Sequence, residues 1–208
     1  PFQMEEKNGR LFGRGSCDMK GFIAVVLALV PEMLRKELKL PLHLVFSYDE
    51  EIGCLGAPAL IARMIKDVPM PQAAIIGEPT SMKLVNAHKG VSIFETTVTG
   101  LPAHSSQTQI GVNAITIAMD CITFLKNRAK IFQTDGPHDE RLNPSYNTIN
   151  VSIIQGGTAL NIIPGECKFS WDCRSINSND TEHLLKEFDL YCQESLLPSL
   201  KEENPNVN

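Results

Sequence analysis

Four carboxylates stand where apolar runs give way to turns: Asp18, the adjacent pair Glu50 and Glu51, and Glu78. Gathered on one crevice, such groups repel and raise one another's pKa unless a cation neutralises them. A divalent metal, or two metals sharing a bridging carboxylate, is the economical use of the set. Neighbouring residues at a strand end point to opposite sides. One member of the Glu pair can therefore ligate metal while the other faces a metal-bound water as its base. Solvated loop carboxylates produce the same pattern, and spacing alone leaves both readings open.

Other chemistries find less support. The Gly13 to Asp18 loop is neither a dinucleotide fingerprint nor a phosphate-binding P-loop. His104-Ser105-Ser106 brings a histidine beside hydroxyls, but no strained nucleophile elbow surrounds it. His43, His138 and His183 fall in an apolar run, a polar loop and a helix start, where ordinary structural histidines occur; His88 stands near a domain junction. The six cysteines include no closely spaced pair, and several sit in apolar stretches. Reduced structural thiols of a cytoplasmic protein are expected, and a zinc knuckle is not.

The elements that must position these groups change character along the chain. Residues 1–88 alternate strand and helix signals: a long apolar stretch at 22–40 that reads as a buried helix interrupted by Pro31, strands at 42–46 and 73–76, and a short helix at 57–66. That order predicts an α/β unit with a mainly parallel sheet covered on both faces, and ligands bind at the strand ends of such sheets. Residues 89–208 predict a β-α-β-β-α order, ferredoxin-like and lacking its last strand. Its strands fall at 91–99, at 148–154 and around Phe169, Trp171 and Cys173, which alternate with polar residues. A helix from Val112 carries Ile115, Ala118, Ile122 and Leu125 as one stripe, and Asn179 with Glu182 reads as a capping box for the final helix.

Net charge is −5, which argues against phosphate-backbone or acidic-membrane binding. The longest apolar run, residues 21–30, is about half of the ~20 residues a membrane span needs. The first residues show no secretory signal and no initiator methionine, so an internal piece of a longer protein is expected.

Several ordered motifs narrow this further. Gly13-Arg14-Gly15-Ser16-Cys17-Asp18-Met19-Lys20-Gly21, Asp49-Glu50-Glu51-Ile52-Gly53-Cys54-Leu55-Gly56-Ala57 and Ile76-Gly77-Glu78-Pro79-Thr80 resemble the co-catalytic zinc aminoacylase and carboxypeptidase family. Ala87-His88-Lys89-Gly90, Ala103-His104-Ser105-Ser106, Gly111-Val112-Asn113-Ala114-Ile115 and the run from Gly156 to Pro164 look most like its acetylornithine-hydrolysing branch. The resemblance implies a zinc-peptidase-like α/β catalytic domain, of which residues 1–88 are part, and a ferredoxin-like α+β lid at 89–208 through which the protein forms a homodimer. It implies two zinc ions, replaceable by cobalt, with Asp18 bridging, Glu51 and Glu78 each on one metal, and Glu50 as general base. The family's two histidine ligands have no counterpart here. His104 would reach a partner subunit's site and polarise the scissile carbonyl, while Asn161 and Arg174 would hold substrate. A turn amide and an edge-strand arginine are the plain alternatives for those two. The implied reaction is amide hydrolysis of a small N-acyl amino acid, N2-acetylornithine foremost. The alternatives are succinyl-diaminopimelate, another acyl amino acid or a dipeptide. A non-catalytic dimerising fragment is the reading of another class.

Overall fold

The structure, a computed structural model, describes residues 2–203, with side chains through Glu202. Chain contacts divide it into two units, Pro1–Leu84 and Val85–Asn208.

The first unit opens with a hairpin of β1 (Glu5–Lys7) and β2 (Arg10–Phe12), registered Glu5 to Phe12 and Lys7 to Arg10. Its turn is Asn8-Gly9, both at positive φ (53° and 69°), the geometry that an Asn-Gly pair adopts most easily. Helix α1 (Lys20–Leu34) retains Pro31 within its last turn, and α2 (Ala57–Asp67) begins with a proline in its first turn, where no N–H is needed.

Two expectations fail in this unit. Residues 42–46 and 73–76 form no ladder, so the parallel sheet is absent among the described residues; the only pairing in the unit is β1 with β2. Nor is the apolar stretch after Asp18 a buried helix, because no residue of α1 is buried. The two failures share a cause. A strand satisfies its backbone groups and covers its faces only between neighbours, and α1 can be buried only against such a sheet. Without ladders, Phe46 is left 59% exposed and Ile75 86% exposed. Leu42, Leu44 and Phe46 instead line an open groove with Leu60, Met64 and Val68 from α2 and its C-terminal end.

The second unit carries the hydrophobic core. It runs β3 (Gly90–Thr99), α3 (Ala114–Thr134), β4 (Thr148–Gly156), β5 (Glu166–Ser175) and α4 (Asp180–Tyr191). A single π-helical turn at Cys192–Leu196 then leads into α5 (Leu197–Glu203). The sheet order is β3-β5-β4, antiparallel throughout, with β5 central and a bulge in β4 between Val151 and Ile153. This is the expected β-α-β-β-α order. Cys167, Phe169, Trp171 and Cys173 are buried on alternate positions of β5, as their period of two requires. Trp171 packs on Phe94 with ring centroids 4.4 Å apart, and its indole N–H donates to Thr96 Oγ1 at 3.0 Å.

Two local readings need correction here as well. The buried line of α3 is Ala114, Ile117, Ala118, Cys121, Leu125 and Phe132, which leaves Ile115 and Ile122 on its flank. The helix is rotated so that Ala114, Ile117 and Cys121 are buried where Ile115 and Ile122 were expected. Asn179 makes no cap bond, because its backbone (φ −89°, ψ −11°) is already helical and its side chain cannot turn back to the first amides. Asp180 gathers the local bonds instead, accepting from the Asn177 backbone N–H at 3.1 Å and from Asn147 Nδ2 at 2.8 Å. At the start of α3, Asn113 does cap, its Oδ1 accepting from the N–H groups of Ile115 and Thr116.

Candidate functional site

Chemistry-bearing residues occur in both units. In the first, Asp18 precedes α1 on a loop closed by the Ser16 N–H to Gly13 O and Gly21 N–H to Gly15 O bonds. Glu50 and Glu51 occupy a tight turn in which the Glu50 carbonyl accepts from Gly53 and Cys54, and the Asp49 carbonyl from Leu55. That turn closes against Gly56, where a Cβ would stand 2.5 Å from the Tyr48 carbonyl oxygen. Glu78 is brought in by its neighbour. A Cβ on Gly77 would lie 2.3 Å from the Met19 side chain and 2.4 Å from the Phe22 ring, so any larger residue would have to displace both side chains for this segment to approach the start of α1.

The approach has an electrostatic consequence. The Glu78 carboxyl is raised above its ordinary value, first by partial burial and then by the charges of Glu50, Asp18 and Glu51. The charges of the other three expected carboxylates are thus felt at Glu78. They do not converge further: among the described residues no three His, Cys, Asp or Glu side chains are arranged to hold a metal ion. The residues therefore suit a divalent cation in charge, while their arrangement provides no complete ligand cage.

In the second unit, His104 and Asn161 come from different loops that the fold zips together. The Ser105 N–H donates to the Asn161 carbonyl at 2.9 Å, and the Ile163 N–H to the Ala103 carbonyl at 2.7 Å. His104 and Ile162 pair as an isolated antiparallel bridge. Both loops leave the sheet where Thr99 pairs with Glu166. Arg174 lies at the other end of β5, opposite Val91 and Thr148. Eight residues of strand separate the two ends, roughly 26 Å at about 3.3 Å per residue. Arg174 is also not on an edge, since β5 is the central strand. Its guanidinium is largely exposed and only loosely paired with Asp172, at 3.6 Å, a surface contact that leaves it available to a ligand.

Three residues that the motifs did not single out shape this unit. Lys89 spans the end of the sheet, its Nζ donating to the Tyr146 carbonyl at 2.8 Å. Its pKa is lowered, first by burial and then by the Arg174 charge. Asn147, fully buried, ties the start of β4 to the β5–α4 connection through Ile176 N–H and Asp180. Ser106 bonds the His104 ring at 2.8 Å. The spacing of His104 and Ser106 was the available sequence signal for the last of these. Lys89 stands inside the quoted Ala87-His88-Lys89-Gly90 motif, but its contact was not legible there, and Asn147 carried no signal, because the partners of both are distant in the chain. All six cysteines are free thiols.

Compared with known proteins, residues 86–199 match the peptidase dimerisation domain family. The chain is 37% identical to an acetylornithine deacetylase of Myxococcus xanthus over 92% of its length and 49% of that protein's. It is 37% identical to an acetylornithine deacetylase of Pasteurella multocida over 85% of its length and 45% of that protein's. It therefore spans about half the length of the curated relatives it matches. A solved tripeptidase from Staphylococcus aureus aligns over 58% of this chain and 30% of its own at 23% identity, with a TM-score of 0.40.

Proposed function

The chain belongs to the peptidase dimerisation-domain family, and from that premise we propose that the protein of which it is part hydrolyses the amide of a small N-acyl amino acid, N2-acetylornithine to ornithine and acetate. The observation that carries this reading is an identity of 37% to proteins of that activity, sustained over nine-tenths of the chain rather than over the dimerisation domain alone. In this reading residues 1–88 contribute part of the catalytic domain and residues 89–208 the lid through which a homodimer forms.

Asp18, Glu51 and Glu78 are the residues that would hold the metal, with Asp18 shared between two ions. The repulsion that the Glu78 carboxyl feels from Glu50, Asp18 and Glu51 supports a cation there. Zinc is the metal of this reading, with cobalt able to replace it. When bound, such a metal supplies a water of lowered pKa and a Lewis acid for the carbonyl. Glu50 takes the proton of the attacking water and returns it to the leaving amine, as a general base that becomes the acid.

In the lid, Asn161 and Arg174 hold the substrate, Arg174 through the planar fork that matches a carboxylate. His104 donates to the scissile carbonyl. One lid cannot bring His104 and Arg174 to a single small molecule across roughly 26 Å of strand, which favours a site shared between subunits. No helix among the described residues is long and apolar enough to cross a membrane. A cytoplasmic location belongs to the same reading, supported by the free thiols.

The test is a side-by-side assay of the full-length protein on N2-acetylornithine and N-succinyl-diaminopimelate, with Glu50→Gln as the variant. The proposal expects preference for the acetylated substrate. Glu50→Gln should retain bound metal and lose about 10²- to 10⁴-fold in kcat. A variant with near-normal kcat would remove Glu50 from the chemistry, and preference for the succinylated compound would replace the substrate.

A further inference from the structure

We propose that Ser106 is a positioning residue that holds the His104 imidazole in the tautomer protonated on Nε2, so that the ring presents an N–H donor. Two contacts decide the tautomer. The Ser106 backbone N–H donates to His104 Nδ1 at 3.3 Å, and Ser106 Oγ lies 2.8 Å from the same nitrogen. A backbone amide can only donate, so Nδ1 is the unprotonated nitrogen. The hydroxyl, able to donate or accept, must then donate as well. A neutral imidazole with a bare Nδ1 carries its proton on Nε2.

The loop around the ring leaves it little other freedom. Ala103 accepts from Ile163, Ser105 donates to Asn161, and Gln107 N–H closes a turn on the His104 carbonyl at 2.8 Å. The backbone on both sides of His104 is thereby anchored, and the Ser106 pair fixes what remains, the rotation of the side chain. His104 is exposed, and its Nε2 has no partner among the described residues. An unengaged N–H on an immobilised ring is what a carbonyl oxygen gaining negative charge requires. The other tautomer would present a lone pair and repel that oxygen. This functional half rests on the reading of His104 given above; the tautomer itself does not.

A competing role for the pair is a serine nucleophile with His104 as its base. That arrangement needs a third group to orient the far nitrogen of the base, and Nε2 has none.

The test uses the 208-residue chain labelled with ¹⁵N-histidine, read by long-range ¹H–¹⁵N correlation well above the usual histidine pKa, with His104→Gln identifying the resonances. The expected spectrum shows an unprotonated Nδ1 and a protonated Nε2. Ser106→Ala keeps the amide contact and loses the hydroxyl, and should move the tautomer ratio about five-fold toward Nδ1–H, the factor of an ordinary net hydrogen bond. Ser106→Thr should restore it. A protonated Nδ1 in the wild type, or an unchanged ratio in Ser106→Ala, would overturn the proposal, as would stoichiometric labelling of Ser106 by a phosphonofluoridate. In the full-length enzyme Ser106→Ala should lower kcat with KM little changed, and Ser106→Thr should recover it. An unchanged kcat alongside the expected tautomer shift would overturn His104 as carbonyl donor while leaving the tautomer assignment intact.

Discussion

Asn147→Ala should destabilise the second unit by about 2–4 kcal/mol, a cost that follows from two hydrogen bonds. Asn147 is fully buried; its Oδ1 accepts from the Ile176 N–H at 2.7 Å and its Nδ2 donates to Asp180 Oδ2 at 2.8 Å. Alanine removes both. Asp180 keeps the Asn177 backbone and side-chain donors at 3.1 and 3.2 Å, so the loss there is one charge-assisted bond, about 1.5 kcal/mol. Ile176 N–H loses the one partner it has among the described residues, and an orphaned, partly buried donor costs about 1–2 kcal/mol. The space left by the amide group adds to this. The assay is urea unfolding followed by fluorescence. Trp171 is the sole tryptophan and is 2% exposed in the core of this unit, so its emission reports the unit's own transition. The midpoint should fall by about 1 M or more, with an unchanged slope of about 1–3 kcal/mol/M. Asn147→Asp preserves the acceptor for Ile176 but sets a second carboxylate against Asp180, and should be no more stable than the alanine variant at neutral pH. A loss below about 0.5 kcal/mol for Asn147→Ala, the scatter of a surface substitution, would refute the reasoning.

Two further predictions concern pH and metal. Burial, followed by the adjacent Cys192, pushes the Cys121 thiol from 9.0 up to about 12. The folded state therefore holds this proton more tightly than the unfolded chain. Stability should be full below pH 9 and decline from there toward 12, a slope that urea unfolding at pH 8, 9.5 and 10.5 would reveal and that Cys121→Ala should reduce. Calorimetric zinc titration of the 208-residue chain should show binding weaker than micromolar, since Asp18, Glu51 and Glu78 offer only oxygen and no three donors converge. Tight uptake of two zinc ions would show that these carboxylates suffice as ligands.

Wherever a feature depends on neighbours in the chain, the residues alone determined it. The alternation of Cys167, Phe169, Trp171 and Cys173 specifies a strand with one buried face, because side chains on a pleated strand change sides at every residue. Asn8-Gly9 specifies the hairpin turn through its tolerance of positive φ. The ordered motifs along the chain pointed to relatives of the kind to which the chain is 37% identical over 92% of its length. Features that depend on distant partners were settled only by the tertiary structure. Residues 42–46 are apolar enough for a buried strand, yet a ladder needs an adjacent strand, and none pairs with them among the described residues. The stripe on α3 gives a helix and an apolar side, but packing in the folded unit selected the face of Ala114, Ile117, Ala118, Cys121, Leu125 and Phe132. The family resemblance implied substrate contacts for His104, Asn161 and Arg174. Only the register of β5 shows that two of them share one end of the sheet and the third lies at the other, because separation along a strand becomes distance in space only once its partners are known.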